Sequence, residues 1–264
     1  MTAMQLDIFQ VDAFTSHVFG GNPAAVCPLD AWLPDAVLQR IALENNLSET
    51  AYFVPRGEVF ELRWFTPTVE VDLCGHATLA AAWVLFEQLG ERRDVLRFAT
   101  RSGELRVSRE GGLLSMDFPA KQPEAVAIPA ALLQALGLTA AEALYRTDDY
   151  LLVVDDEALV EALKPDFAAL AAFDVRGIAV TAPSRAFDFV SRWFGPRVGV
   201  NEDPVTGSAH TSLAPYWAER LGKHQLRAQQ GGARKGQLEC QVLDNGRVII
   251  SGYGALYLKG SIFL

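Results

Sequence analysis

Arg63-Trp64-Phe65-Thr66-Pro67-Thr68-Val69-Glu70-Val71 returns later in the chain as Arg192-Trp193-Phe194-Gly195-Pro196-Arg197-Val198-Gly199-Val200. Six of the nine positions are identical without a gap. After a three-residue insertion in the second copy, Gly75, Ala77, Glu87, Leu89 and Gly90 match Gly207, Ala209, Glu219, Leu221 and Gly222. Two such stretches in the same order mark an internal duplication. Each copy presents a helix that starts at glycine, and function is expected in a cleft between the two helix starts.

The surrounding pattern predicts matching elements in each half. Arg63 to Phe65 and Arg192 to Phe194 read as aromatic-rich strands that stop at a proline. Gly75 to Leu89 and Ser208 to Leu221 read as helices ended by Gly90 and Gly222, with Pro215 expected to kink the second or shift its start. Before them, strands are predicted at Leu6–Phe14, Pro23–Cys27 and Ala51–Val54, with a helix at Pro34–Glu44. In the second half, strands fall at Leu151–Val154 and Ile178–Thr181, with a helix at Glu157–Leu163. Hairpins follow each central helix, turning at Gly111-Gly112 and at Asp244-Asn245-Gly246. Ala120–Ile128 reads as a crossover. The expectation is an α+β protein of two pseudo-symmetric domains, each a curled, barrel-like, mostly antiparallel sheet around one central helix. Residues 1–119, completed by a strand at 254–264, would form the first, and residues 120–253 the second.

Composition bounds the function. The chain of 264 residues is 50% hydrophobic and 21% charged, which suits a globular protein with a substantial core. Its net charge of -9 argues against a nucleic-acid or anionic-membrane partner. Three scattered cysteines, Cys27, Cys74 and Cys240, suggest neither a disulfide framework nor a zinc ribbon. With no signal-peptide pattern and no apolar run long enough to span a bilayer, a cytoplasmic location is expected. No metal-ligand spacing stands out, so no metal is expected, and no phosphate-binding glycine loop follows a strand. Gly231-Gly232 reads as a hairpin turn.

Three segments carry residues suited to chemistry. In Asp72-Leu73-Cys74-Gly75-His76-Ala77-Thr78, a glycine-led helix start offers backbone N–H groups to a carboxylate. His76 there could hold substrate or move a proton, or be a structurally satisfied histidine. In Glu202-Asp203-Pro204-Val205-Thr206-Gly207-Ser208, Pro204 holds Asp203 extended ahead of the helix. Asp203 and Thr206 are also natural N-caps. In Asn46-Leu47-Ser48-Glu49-Thr50, Glu49 lies between a helix end and an apolar strand. It reads either as a partly desolvated proton carrier or as a solvated turn residue.

These segments, with Val11-Asp12-Ala13-Phe14-Thr15 and Gly21-Asn22-Pro23-Ala24-Ala25-Val26, resemble the phenazine-biosynthesis PhzF-like proteins of the diaminopimelate-epimerase-like fold. The resemblance implies a cofactor-independent isomerase, similar to the enzyme that moves a proton within trans-2,3-dihydro-3-hydroxyanthranilate, and usually homodimeric. It implies catalytic roles for Glu49, His76 and Asp203. It further implies substrate binding at Asn22, Ser48, Gly75, Gly207 and Ser208. The epimerase branch uses one cysteine at each helix start. Here Cys74 meets Thr206, whose hydroxyl is a far weaker acid than a thiol of pKa about 8.5. A Cys74-dependent epimerase, racemase or dehydratase is the alternative chemistry, and a non-catalytic ligand-binding or interaction protein the alternative class.

Overall fold

The chain opens with β1 (Gln5–Ala13), which carries Ile8, Phe9 and Val11, and the small-residue strand β2 (Asn22–Pro28), which pair antiparallel with Phe9 opposite Val26. The computed structural model describes residues 4–264. Helix α1 (Asp35–Asn45) then crosses over, so β3 (Glu49–Arg56) joins β2 in parallel. Asn46 ends α1 in the left-handed conformation, at φ 49°, and turns the chain directly into β3. The sheet continues through β4 (Val59–Phe65), on which the short β5 (Glu70–Val71) folds back. Helix α2 (Gly75–Glu87) makes a second crossover to β6 (Val95–Thr100), parallel to β4. The hairpin strands β7 (Gly103–Glu110) and β8 (Leu113–Pro119) follow, joined at Gly111-Gly112 as predicted.

The second half repeats this order, starting with β9 (Glu124–Val126), helix α3 (Ala130–Leu136), β10 (Ala143–Arg146) and β11 (Tyr150–Val153). Helices α4 (Glu157–Ala162) and α5 (Phe167–Leu170) lead to β12 (Ile178–Pro183), parallel to β11. Next come β13 (Phe189–Gly195), β14 (Val200–Asp203), α6 (Gly207–Leu221), and β15 (Gln225–Gln230), parallel to β13. Strands β16 (Gly236–Leu243) and β17 (Arg247–Gly252) follow. Finally β18 (Gly254–Phe263) returns to pair antiparallel with β1, as β9 pairs with β10. The chain divides into two compact units, Met1–Asp117 with Ser251–Leu264, and Phe118–Ile250.

Each unit has a helix surrounded by apolar side chains. Ten of the thirteen residues of α2 are buried, which explains why its apolar residues run all round the helix instead of along one stripe. The outer face of the first unit's sheet is covered by α1, whose Leu38, Ile41 and Ala42 meet Cys27, Tyr52 and Val54. In the second unit α3, α4 and α5 play that part, with Leu132, Val160 and Leu170 against Leu152, Val180 and Phe194.

Three sequence expectations need correction. Of the two effects expected of Pro215, a kink or a shifted start, the second does not occur, since α6 runs from Gly207 through Pro215 to Leu221. A proline there cannot donate to the carbonyl of Thr211, and the backbone N–H of Lys121 takes that acceptor at 2.9 Å. The inserted residues of the second copy do not follow Val200. They fall within residues 195–201, which form the one-turn 3-10 helix Pro196–Val198 and the left-handed Gly199. Consequently Glu70 corresponds to Glu202 and Val71 to Asp203, and the identities at Val69/Val198 and Val71/Val200 are coincidental. The proposed crossover at Ala120–Ile128 contains β9, whose three residues carry too little pattern to be seen in sequence.

Candidate active site

Glu49 is the first residue of β3, and Cys74 and His76 flank the glycine that starts α2. The amide of Asn45, at the end of α1, donates to the Thr50 hydroxyl at 3.0 Å and so pins the turn that carries Ser48 and Glu49. Cys74 is extended, at φ -144° and ψ 110°, and no side chain caps the first turn of α2. The hydroxyl of Thr78 donates to the Cys74 carbonyl at 2.6 Å and fixes this entry. The three side chains converge: His76 Nε2 is 3.0 Å from Glu49 Oε2, and Cys74 Sγ is 3.5 Å from His76 Nδ1. The His76 side chain is 6% exposed and that of Glu49 16%, so the pair works largely out of water. Glu49 Oε2 lies off the ring's N–H direction and accepts no aligned hydrogen bond. Asn22, the first residue of β2, is fully buried in the same unit.

Burial sets the electrostatics. It pushes the Cys74 thiol up to about 11, with the nearby Glu49 carboxylate adding to the effect and His76 opposing it. Burial by itself would lower His76. The Cys74 sulfur and the Glu49 carboxylate outweigh it and hold the imidazole well above its ordinary value. The two titrations are coupled, because the sulfur raises His76 only when it has itself given up its proton.

In the second unit Asp203 ends β14, and Thr206 is the extended N-cap of α6. The Thr206 side chain makes no capping bond. The Thr206 hydroxyl donates instead to Asp203 Oδ2 at 2.5 Å. Gln230, at the end of β15, locks this loop by donating to the Asp203 carbonyl and accepting from the Thr206 backbone N–H. Ser208, in the first turn, accepts from Arg176 Nη1 at 2.8 Å, while the rest of that guanidinium is held by both oxygens of Asp149. Arg176, Asp149 and Gln230 carry no motif and sit far from the helix start in sequence, so sequence reading missed them.

Strand register within each unit explains the asymmetry of the two copies. Ala51 pairs with Trp64 and Ala179 with Trp193, so Glu49 corresponds to Gly177 and Ser48 to Arg176. A Cβ on Gly177 would stand 2.1 Å from the Trp193 ring, so no carboxylate can occupy that position in the second unit. Duplication is otherwise kept in detail. Arg63 grips Glu70 with two bonds of 2.7 Å, and Arg192 grips Glu202 in the same way. Thr78 and His210 are equivalent, and each bonds the carbonyl of its N-cap residue.

His210 is fully buried, and burial lowers its pKa from 6.5 to about 4. Its Nδ1 must carry the proton, because Thr206 offers only a carbonyl at 3.0 Å. The unfolded chain binds a proton below pH 6.5 that the native ring refuses until about pH 4, so stability is lost as pH falls through that window. His76 acts in the opposite sense: its raised pKa stabilises fully below the unfolded value, and that contribution fades as pH rises through the folded one. Denaturant melts from pH 7 to 4 are expected to show an acid loss about 3 kcal/mol smaller in His210→Asn than in wild type. Identical slopes would contradict a neutral buried imidazole.

A model of the family described as phenazine biosynthesis-like protein matches residues 11–260, which is nearly the whole chain. The chain belongs to the phenazine biosynthesis-like family. An uncharacterised isomerase of Pseudomonas aeruginosa is 68% identical, over 99% of this chain and 100% of that one. The crystal structure of a phenazine biosynthesis family protein from Enterococcus faecalis superposes with a TM-score of 0.96 at 47% identity, covering 99% of this chain and 100% of that one. A probable proline racemase from Agrobacterium radiobacter shares the fold alone, at TM-score 0.62 and 10% identity over 97% of this chain and 92% of that one. As a phenazine biosynthesis-like protein the chain thus has the epimerase-like α+β fold in both halves. Among the described residues no helix is long and apolar enough to cross a membrane.

Proposed function

We propose that this protein is a cofactor-independent isomerase that moves a proton within a small carboxylate substrate, in the manner of trans-2,3-dihydro-3-hydroxyanthranilate isomerisation. The observation that carries this reading is the largely buried Glu49–His76 pair at 3.0 Å beside a helix start with no side-chain cap. Glu49 takes the proton from one carbon and returns it to another. His76 donates a ring N–H to the charge that develops on the substrate. Asp203 assists at the reacting substrate, and Asn22, Ser48, Gly75, Gly207 and Ser208 bind it. The isomerase names of the relatives support the reaction class.

Thiol-based epimerisation finds less support. A thiol pushed to about 11 is a poor base at neutral pH, and the equivalent Thr206 spends its proton on Asp203. The reading is tested by incubating the protein with small unsaturated and hydroxy carboxylates in heavy water. Deuterium is expected at a carbon adjacent to the carboxylate or conjugated with it, and its absence from every such compound would favour a non-catalytic binding module.

A further inference from the structure

Glu49, Cys74 and His76 each offer one ligand atom, and these atoms all lie within 4.8 Å of one another. No sequence spacing announces the group, because Glu49 is brought to the helix start only by the pairing of β3 in the sheet. Cys74 Sγ is 4.0 Å from His76 Nε2, and that nitrogen is 3.0 Å from Glu49 Oε2. A zinc–sulfur bond of about 2.3 Å and a zinc–nitrogen bond of about 2.0 Å together span more than the first distance, and two bonds of about 2.0 Å span the second. The remaining sulfur–oxygen span is within 4.8 Å, so small side-chain rotations that shorten it let one ion touch all three. Glu49 Oε2 is buried with no aligned hydrogen-bond donor, and its ionic contact with His76 is what a metal ion would replace. The backbone entering α2 is already fixed by the Thr78–Cys74 bond.

We propose that Glu49, Cys74 and His76 form a binding site for a thiophilic divalent cation of the zinc class, with three protein ligands and an open fourth position. A thiolate and an imidazole select zinc, cobalt or cadmium over magnesium and calcium, which take oxygen ligands. On binding, the thiol proton and the imidazolium proton leave to solvent, and the metal occupies the ring nitrogen and the carboxylate oxygen. The consequence for activity rests on the isomerase reading: a cation that holds Glu49 removes the lone pair that would take the substrate proton. Metal occupancy and proton transfer then exclude each other at one site.

The test is titration of metal-free, full-length protein with Co2+, read as the thiolate-to-cobalt charge-transfer band in the near ultraviolet, followed by displacement with Zn2+. One equivalent of cobalt is expected to develop the band in wild type and in the Cys240→Ala control. The band is expected to vanish in Cys74→Ala and in the shape-preserving Cys74→Ser. Glu49→Gln and His76→Asn are expected to weaken binding by at least the roughly 10–100-fold that loss of an outer-shell partner costs. No band in folded wild-type protein, or a band that survives Cys74→Ala, would overturn the site. Heavy-water exchange with added zinc separates the two ideas. Loss of exchange supports both, whereas a full cobalt band with exchange undiminished by zinc leaves the cation site standing and contradicts the role given to Glu49.

Discussion

Glu49→Gln is expected to lower turnover by roughly 10²–10⁴-fold while leaving substrate affinity nearly unchanged, the loss typical of removing a positioned acid/base group. Gln keeps the size and shape of the side chain, so contacts of the first turn of α2 persist. What disappears is the carboxylate that faces His76 Nε2 at 3.0 Å. The structure offers no substitute, because the equivalent position in the second unit is Gly177, closed by the Trp193 ring. Loss of the negative charge also removes one of the two influences that raise His76. A pH–rate profile of the residual activity should accordingly show its basic limb displaced to lower pH. Near-normal turnover in this variant would remove Glu49 from the mechanism.

The second large effect is on stability. Arg192→Met is expected to destabilise the protein by about 3 kcal/mol, the lower end of the cost of breaking a buried ion pair, because Glu202 is partly exposed. The guanidinium donates to both oxygens of Glu202 and to the carbonyls of Val160 and Leu163 at the end of α4. Removing it leaves a charge and two helix-end carbonyls without their donor. The midpoint of thermal unfolding should fall by roughly 6–12 °C. Arg63→Met, its equivalent in the first unit, should cost less, since Arg101 also stands 2.7 Å from Glu70 and would keep that carboxylate paired. Equal losses in the two variants would mean that the shared geometry, not the local charge environment, sets the cost.

The duplication was legible in sequence because it rests on identities that packing preserves: Arg63 and Arg192 for their glutamates, Trp64 and Trp193 for the strand register, and Gly75 and Gly207 for the helix starts. Helix and strand positions followed from apolar runs and glycine stops, and the Gly231-Gly232 segment is indeed the turn between β15 and β16. The placement of the insertion was not legible, since Val198 and Val200 mimic their first-copy partners by chance. Helix α3 was overlooked although Pro129 precedes it and the left-handed Gly137 ends it. In the site, Cys74, Gly75 and His76 are neighbours in the chain and could be read together. That Glu49 meets them depends on sheet register. Arg176, Asp149 and Gln230 hold the second helix start through contacts across many residues of chain, which no local pattern records.

The central claim is that one carboxylate, not a thiol, moves the proton. Deuterium exchange from heavy water into a turned-over substrate, measured for wild type, Glu49→Gln and Cys74→Ser at equal enzyme concentration, tests it most directly. Cys74→Ser is expected to retain exchange within about tenfold of wild type, whereas Glu49→Gln is expected to lose it by roughly two orders of magnitude or more. The reverse pattern, with exchange abolished in Cys74→Ser and kept in Glu49→Gln, would contradict it and make Cys74 the base.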